Sequence, residues 1–262
     1  MEPARCLACG STDLGSFPHA LYSVCGSCRS IIQTSGISEV SDYYDGLALD
    51  SRHQIANYRR YLRTISSCMD TAAFALVDVG AGDGTFLAAA SGRFRSVGGF
   101  DLSPKAQEAL RSRGFLIDPG TIAGTSPKVV SCLQVIEHQR DPQGFLAGLG
   151  LGAADRLVLT APAADGPNSL RHWKSGRWAG LSPSHHVCLY SRAGIESLLR
   201  SCGLAAVAYE LVWAAGQSLP LQLWRFSLSC AKWPAKIALG RKAPLPIYSG
   251  IDSFLLIARR GA

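Results

Sequence analysis

Four cysteines near the start of the chain occur in two Cys-x-x-Cys pairs, a spacing that is typical of zinc sites. The pairs lie in CLACG and CGSCR, fifteen residues apart, and comprise Cys6, Cys9, Cys25 and Cys28. Each pair can place two sulfurs on one side of a tight turn, so two turns supply the corners of a tetrahedral site. Because four thiolates leave no open position on the metal, we expect a structural zinc that stabilises a small ribbon.

A glycine-rich turn, VDVGAGDGTF, is the second group of residues whose types and spacing suit a functional site. It contains Gly80, Gly82 and Gly84 after an apolar strand that carries Asp78. A dinucleotide-binding turn has the pattern G-x-G-x-x-G, but Thr85 stands where its third glycine would fall. Glycine lets the backbone approach a ligand, and Asp78 adds negative charge, so the turn suits a cationic or zwitterionic ligand.

A carboxylate follows the next apolar segment. Asp101 lies twenty-one residues after Gly80, in GGFDLSP. A carboxylate at this place can accept hydrogen bonds from both hydroxyls of a ribose. Dinucleotide-binding folds share this feature, so Asp101 alone does not identify the ligand.

An ordered set of motifs does separate the alternatives. After the G-x-G-x-G turn come VVSCLQVIEHQRDPQGFL, LVLTAPA and SPSHHVCLYSRAGIESLLRSCGL. The set resembles the class I S-adenosylmethionine (SAM) methyltransferases, in particular the group that includes the ubiquinone-pathway O-methyltransferases, over roughly residues 75–213. A cysteine-rich ribbon also occurs in some sugar methyltransferases of similar design.

The resemblance implies a fold, a cofactor and binding residues. The fold class is α/β, with a Rossmann-like seven-stranded sheet beside the small zinc ribbon, and the cofactor is SAM. The implied cofactor-binding residues are Asp78, Gly80, Gly82, Gly84, Asp101, Leu102 and Gln134. In some ubiquinone-type relatives acidic residues of this region hold a divalent ion, but Gln134 replaces the leading acid here, which argues against a catalytic metal and leaves Glu137 as a structural residue.

Three histidines are candidates for a general base. They are His138 in IEHQ and His185 and His186 in SHHV. Methyl transfer from a sulfonium is an in-line displacement, and a base contributes when the acceptor must lose a proton. Alternatively, each histidine braces a loop or faces solvent.

Short apolar segments alternate with helical patterns after the ribbon, which predicts a parallel sheet with helices on both faces. We expect a ribbon over residues 1–36, a connecting helical segment and candidate lid over 37–72, and a methyltransferase domain over 73–262. Insertions are expected near 163–188 and 214–249. The short segment FLID, residues 115–118, is among the predicted strands, and the scattered cysteines are expected to be small buried residues.

The positive charge is concentrated late in the chain. The formal net charge is +7, and residues 214–262 contain seven basic residues and one acidic residue. Aromatic, aliphatic and basic residues in 214–242 suit an anionic membrane surface, a lid or a dimer surface. In the earlier insertion, residues at the expected pocket rim suit an aromatic ring or an anionic group: Arg171, His172, Trp173, Lys174, Arg177 and Trp178.

These features favour transfer of a methyl group to a small molecule or glycan, including a lipid-linked or natural-product intermediate. An RNA methyltransferase that uses the ribbon for nucleic acid is the alternative, although the basic residues lie far from the ribbon. A SAM-fold module without catalysis is a third hypothesis. No cationic stretch followed by an apolar one opens the sequence, and we find no apolar run near 18 residues. We therefore expect a cytoplasmic protein, with peripheral membrane contact as an alternative; the oligomeric state stays open.

Overall fold

The computed structural model describes residues 5–34, 54–122, 124–172, 178, 180–213 and 251–261. The strands in these ranges are β1 (Leu14–Ser16), β2 (Tyr22–Cys25), β3 (Ile31–Gln33), β4 (Ala75–Val79), β5 (Ser96–Phe100), β6 (Lys128–Leu133), β7 (Arg156–Pro162), β8 (Cys188–Leu189), β9 (Leu204–Trp213) and β10 (Ile251–Arg260). The α-helices are α1 (Ile55–Cys68), α2 (Thr85–Ala90), α3 (Pro104–Ser112), α4 (Pro142–Gly148), α5 (Pro167–His172) and α6 (Arg192–Ser201).

The larger sheet confirms the predicted α/β class. In the described ranges it has six strands in the order β5-β4-β6-β7-β10-β9. Strands β5, β4, β6 and β7 are parallel, whereas β10 runs antiparallel to both β7 and β9. The sheet is therefore mixed, and the prediction of a parallel sheet is correct for these four strands and wrong for β10.

The predicted strand FLID is the segment where a further parallel strand was expected. In the structure Leu116 makes a single parallel bridge to Gly99, and no strand is assigned there. The Asp118 side chain accepts a hydrogen bond from the amide of Gly120, and a 3₁₀ turn begins at Pro119. Because proline cannot donate to a ladder, extended pairing ends immediately after the bridge.

Alternate residues along the strands form two cores on opposite faces of the sheet. Leu76 of β4 packs in one cluster with residues of α1, α2 and α3, and Val77 packs in the other with residues of α4 and α6. Strands buried on both faces by helices are typical of parallel α/β sheets. Because the helices pack against the strands and fix their ends, the loops at the carboxyl ends of the strands are held in place as well.

Side-chain caps begin three of these helices at defined residues. Ser103, Asp141 and Ser191 each accept a hydrogen bond from the amide three residues ahead, at the starts of α3, α4 and α6. Proline follows Ser103 and Asp141 directly, where its fixed φ suits a first helical residue.

The N-terminal ribbon forms a second sheet together with a strand of the larger domain. Its order is β1-β2-β3-β8, and all its neighbouring strands are antiparallel. Ile31 of β3 pairs with Leu189 of β8, and Ile32 pairs with Cys188. Ile32 and the cysteines of the ribbon also belong to the core cluster of α4 and α6. The ribbon is thus continuous with the domain.

A buried ion pair lies at the start of β6. Lys128 Nζ lies 2.8 Å from Asp155 Oδ2, and both side chains are 1% exposed. The ammonium also donates to the carbonyl of Gly150, and Asp155 accepts from the amides of Lys128 and Gly152. These hydrogen bonds offset the desolvation that a buried pair costs.

The scattered cysteines differ in exposure. Cys132 and Cys188 are buried as expected, but Cys68 is exposed and Cys202 is half-buried, because each sits at or next to a helix end. Cys230 lies outside the described residues. Within the described ranges, no helix combines the length and apolar character that crossing a membrane requires.

Candidate active site

The glycine-rich turn follows β4 at the carboxyl edge of the sheet. Gly80 has φ +77°, a left-handed conformation that side chains other than glycine rarely adopt. A Cβ on Gly80 would lie 2.5 Å from Cγ2 of Val135, which follows β6. The turn therefore needs glycine at this position for its backbone conformation and for its close approach to the neighbouring loop.

Asp101 connects this turn to the loop after β5. Its Oδ2 accepts a hydrogen bond from the amide of Gly82 at 2.9 Å, and its Oδ1 accepts one from the amide of Ser103 at 2.9 Å. A carboxylate offers about four lone-pair sites, so acceptor capacity is left for a ligand. The arrangement fixes the carboxylate beside the glycine turn, as the predicted ribose contact requires.

A cavity opens above these residues, at the carboxyl ends of β4, β6 and β7. Asp78, Gly80, Gly82 and Gln134 line it, as does Thr160 of β7. The structure thus brings together most of the predicted cofactor residues. Three of them do not line the cavity. The Leu102 side chain is 86% exposed, Asp101 lies beside the cavity through its bond to the amide of Gly82, and Gly84 lies directly before α2.

Helix α1 supplies one wall of the cavity. Tyr58 and Tyr61 of the helix line it, as does Gln54 directly before the helix. The Tyr58 ring packs edge-on against Phe86 with centroids 5.3 Å apart. The helical spacing of the tyrosines predicts a buried face, and the structure adds that this face borders the cavity. Sequence reasoning missed Gln54, Phe86 and Thr160, whose residue types carry no distinctive signal.

Asp78 is buried beneath the turn. Its Oδ1 accepts a hydrogen bond from the Ser131 hydroxyl at 2.5 Å. Burial raises the pKa of Asp78 to about 7; the Ser131 bond opposes this rise and the charge of Asp101 adds to it. A cationic ligand in the cavity would favour the ionised carboxylate, so Asp78 suits a ligand that carries positive charge.

Gln134 has an uncommon backbone conformation at the end of β6, with φ +59°. Its amide donates to the backbone carbonyl of Thr160 at 2.9 Å, and its side-chain Nε2 lies 3.3 Å from the Thr160 hydroxyl. Left-handed conformations of residues other than glycine are found at functional sites more often than elsewhere. The bonds to Thr160 hold the Gln134 side chain at the cavity.

The three candidate histidines form one cluster. The ring centroids of His185 and His186 are 4.4 Å apart, and that of His138 lies 5.4 and 5.0 Å from them. None of the three lines the cavity described above. The cluster lies at the same edge of the sheet as the cavity, because His138 comes four residues after Gln134 in the turn that follows β6.

Hydrogen bonds fix the tautomers of two of these rings. His138 Nδ1 donates to the carbonyl of His185 at 2.9 Å, and His186 Nδ1 donates to the carbonyl of Gly180 at 2.6 Å. A carbonyl only accepts, so Nδ1 carries the proton and Nε2 of the neutral ring is the basic atom. Burial lowers the pKa of His138 to about 4 and that of His186 to about 3, so both rings are neutral near pH 7.

Glu137 lies beside this cluster and is fully buried. Neither carboxylate oxygen has a hydrogen-bond partner among the described residues, and Oε1 lies 4.0 Å from His138 Nε2. Burial raises the pKa of Glu137 to about 8, so the carboxyl is largely neutral near pH 7. One donor atom each from Glu137, His138 and His186 lie within 4.8 Å of one another, so the group could share a proton or hold a cation.

The four cysteines of the ribbon also converge. Their Sγ atoms lie within 4.8 Å of one another, and the Cys6–Cys28 and Cys9–Cys25 sulfurs are each 3.6 Å apart. Zinc–sulfur bonds of about 2.3 Å in a tetrahedron place sulfurs about 3.8 Å apart. The cluster therefore fits a tetrahedral zinc. Burial raises the pKa of Cys9 to about 11, so ionisation of this thiol needs a nearby cation.

The earlier insertion is described only in part. The side chains of Arg171 and His172, and residues 173–177, lie outside the described residues, as does segment 214–242. Trp178 is described and is 3% exposed, in a cluster with Phe17, Tyr22, Ile31, Ala164 and Leu189. The placement of Trp178 at an exposed pocket rim is therefore wrong, because its indole packs against the ribbon.

Asp252 at the start of β10 is a buried acid near the carboxyl end of β7 that the sequence did not single out. This residue pairs beside the carboxyl end of β7, where the amide of Ala163 donates to its carbonyl at 2.6 Å. Asn168 of α5 donates to its carboxylate at 3.4 Å, and burial raises the pKa of Asp252. A single acidic residue in a basic segment was the available signal.

Comparisons with known proteins agree with this geometry. A family model described as "Methyltransferase domain" matches residues 57–209. Among solved structures, magnesium protoporphyrin IX methyltransferase from Synechocystis PCC 6803, with bound S-adenosylhomocysteine (SAH), aligns with 15% identity over 80% of this chain and 84% of that chain, at a TM-score of 0.50. No curated protein matches the chain.

Two further solved structures share the fold. A SAM-dependent methyltransferase from Archaeoglobus fulgidus aligns at a TM-score of 0.50 with 15% identity, over 80% of this chain and 95% of that chain. One from Anabaena variabilis ATCC 29413 aligns at a TM-score of 0.53 with 13% identity, over 87% and 99%.

Proposed function

We propose that this chain transfers the methyl group of SAM to a small molecule or glycan. The premise is that the chain belongs to the methyltransferase domain family and is a class I SAM-dependent methyltransferase. The name of one structural neighbour gives magnesium protoporphyrin IX, a small molecule, as its substrate. The observation that best supports this proposal is the cavity at the glycine turn, beside which Asp101 accepts a hydrogen bond from the amide of Gly82.

The cofactor-binding roles follow from chemistry at this cavity. Asp101 would accept the ribose hydroxyls, and the glycine turn would let the backbone approach the methionyl part. Asp78 would place negative charge near the cationic groups of SAM. Gln134 would contact the cofactor through its amide, and Leu102 would add an apolar contact from the loop after β5.

SAM supplies an activated methyl group to a nucleophile that approaches in line with the departing sulfur. The protein aligns the two reactants, and orientation of this kind contributes several kcal/mol of barrier reduction. Where the acceptor carries a proton, Nε2 of His138 or His186 would remove it, because Nδ1 of each ring already donates to a carbonyl. His185 would act with them as the third candidate base.

We further propose that the cysteine cluster holds a structural zinc, which four thiolates of this spacing favour. Purified protein should contain about one zinc per chain, and Cys25→Ser should lose it. Cys68→Ser is the matched control, since Cys68 is exposed and outside the cluster. A ribbon that stays folded over residues 5–34 without any metal would contradict this proposal.

The seven-stranded sheet, the membrane contact through 214–242 and the cytoplasmic location stay predictions.

Calorimetric titration with SAM and SAH tests the core of the function, and heat of binding is expected with both. Incubation with methyl-labelled SAM and separated small-molecule, glycolipid and RNA fractions then tests the acceptor. Label only in RNA would favour the alternative function. Cofactor binding with no labelled fraction would favour the module without catalysis, and no heat with either ligand would refute the proposal.

A further inference from the structure

We propose that the ribbon positions the His185–His186 pair, so that the metal state of the four cysteines controls the geometry of the histidine cluster. This inference rests on the proposed function, because it assigns the ribbon a role at the catalytic side of the same domain. It makes Tyr22 and Gln33 positioning residues, which act through the segment that carries the histidines.

Direct hydrogen bonds from the ribbon reach this segment. The Tyr22 hydroxyl donates to the carbonyl of His186 at 3.2 Å. Gln33 donates through Nε2 to the carbonyl of Pro183 at 2.7 Å and through its backbone amide to the carbonyl of Val187 at 2.9 Å. Carbonyls on both sides of the histidine pair are thus bonded to the ribbon.

The other side of the segment is bonded to the turn after β6. The amide of Val187 donates to the carbonyl of Glu137 at 2.9 Å, and His138 Nδ1 donates to the carbonyl of His185 at 2.9 Å. Residues 182–187 therefore lie between the ribbon and the turn that carries His138. A shift of the ribbon would alter the relative positions of all three rings.

The cysteines control the hairpin that makes these bonds. Strands β2 and β3 form an antiparallel pair in which Tyr22 lies opposite Gln33 at the open end. Cys25 ends β2 and Cys28 lies in the connecting turn. The carbonyl of Cys28 accepts a hydrogen bond from the hydroxyl of Ser191, directly before α6. Metal at the cysteines would fix the turn, and the hairpin would carry this constraint to its open end.

The candidate cofactor cavity is formed without residues of the ribbon. Its lining residues come from α1, the glycine turn, β6, β7 and their neighbours, and none belongs to residues 5–34. Loosening of the ribbon is therefore expected to change the histidine cluster while cofactor affinity stays the same. A purely stabilising role for the ribbon would not produce this separation.

The test uses Tyr22→Phe in the full, zinc-loaded chain, because this variant removes one hydroxyl and leaves the cysteines intact. Tyr209→Phe on β9 is the matched control, since the Tyr209 hydroxyl has no hydrogen-bond partner among the described residues. Nitrogen NMR of ¹⁵N-histidine-labelled protein reports the ring tautomers, amide hydrogen exchange reports residues 182–187, and calorimetry with SAH reports the cofactor site.

In Tyr22→Phe we expect shifted ring signals of His185 and His186, amide exchange about fivefold faster in 182–187, as loss of one hydrogen bond predicts, and an SAH affinity within about twofold of wild type. Tyr209→Phe should match wild type in all three measurements. Removal of zinc by a chelator should enlarge the change in 182–187 while β6 stays protected.

Unchanged histidine signals and unchanged exchange in Tyr22→Phe would overturn the positioning role. Equal changes in 182–187 and in β6 would also overturn it, because they would indicate general destabilisation. Absence of SAH binding by the wild-type protein would instead refute the proposed function, so the two failures are distinguishable.

Discussion

Gly80→Ala is the substitution whose effect the structure defines most sharply. Gly80 has φ +77°, and an added Cβ would lie 2.5 Å from Cγ2 of Val135. Alanine at this position therefore meets two separate penalties, one from the backbone and one from the neighbouring side chain. Gly92 offers a matched control, since it has φ +78° and no atom within 4 Å of an added Cβ.

The two penalties can be estimated separately. A left-handed conformation costs a residue with a Cβ about 1–2 kcal/mol, and overpacking costs about 1–3 kcal/mol. We expect Gly80→Ala to lower the free energy of unfolding by about 2–5 kcal/mol and Gly92→Ala by about 1–2 kcal/mol. The difference between the two variants isolates the contact between the glycine turn and Val135.

Urea denaturation of both variants measures these free energies, and Val135→Ala, alone and in the Gly80→Ala background, completes a double-mutant cycle. The shortened side chain should recover most of the overpacking penalty and none of the backbone penalty. Because the turn borders the cavity, Gly80→Ala should also weaken SAH binding by about tenfold or more, which corresponds to about 1.4 kcal/mol of strain.

Equal losses of stability in Gly80→Ala and Gly92→Ala would refute this reasoning, since they would mean that the turn does not press against Val135. A stability loss in Gly80→Ala without any change in SAH affinity would separate the turn from the cofactor site.

Three further substitutions test other parts of the structure. Asp101→Asn should weaken SAH binding by about 10–100-fold, as loss of charged hydrogen bonds predicts, whereas Asp118→Asn in an exposed turn should leave the affinity within about twofold in calorimetry. For Glu137, burial holds the pKa at about 8 in the folded state against 4.5 for the unfolded chain, so the folded protein binds the extra proton between these values. Its contribution to stability is lost as pH rises through this window, by up to about 1.4 kcal/mol per pH unit. Glu137→Gln lacks this loss, so its free energy of unfolding relative to wild type should rise from pH 5 to pH 8 in urea titrations. A difference between the two proteins that stays constant over this range would contradict the burial of the Glu137 carboxyl. Lys128→Met leaves its carboxylate partner buried and unpaired, and should cost about 3–5 kcal/mol in thermal or urea unfolding, against less than about 0.5 kcal/mol for Arg111→Met in an exposed pair.

Local patterns in the sequence predicted much of the fold and the residues that meet at the candidate site. The alternation of strands and helices gave the α/β class, because each element shows its own periodicity. The glycine turn and Asp101 were predicted from a spacing of residues that lie next to parallel strands. The four cysteines converge because two short turns suffice to gather them.

Contacts between distant segments could not be predicted. Strand β8 has two residues, too few for a periodic pattern, yet it joins the ribbon to the domain. The convergence of His138 with the His185–His186 pair depends on this same pairing. Likewise, the sequence VIEHQ does not show that Glu137 is fully buried, because the segment bonded to it is distant in sequence: the amide of Val187 donates to the carbonyl of Glu137.

The pairing of β3 with β8 also constrains the order in which a nascent chain can mature. Leu189 pairs with Ile31 from 158 residues further along the chain, so the first sheet stays incomplete until most of the polypeptide has left the ribosome. At a translation rate of about 5–20 residues per second, this interval lasts roughly 8–30 s. During that time Ile31 and Ile32 lack the strand that covers them, and the thiols near them are open to oxidation. Early metal capture would shield the amino-terminal hairpin while it waits for its carboxyl-terminal partner.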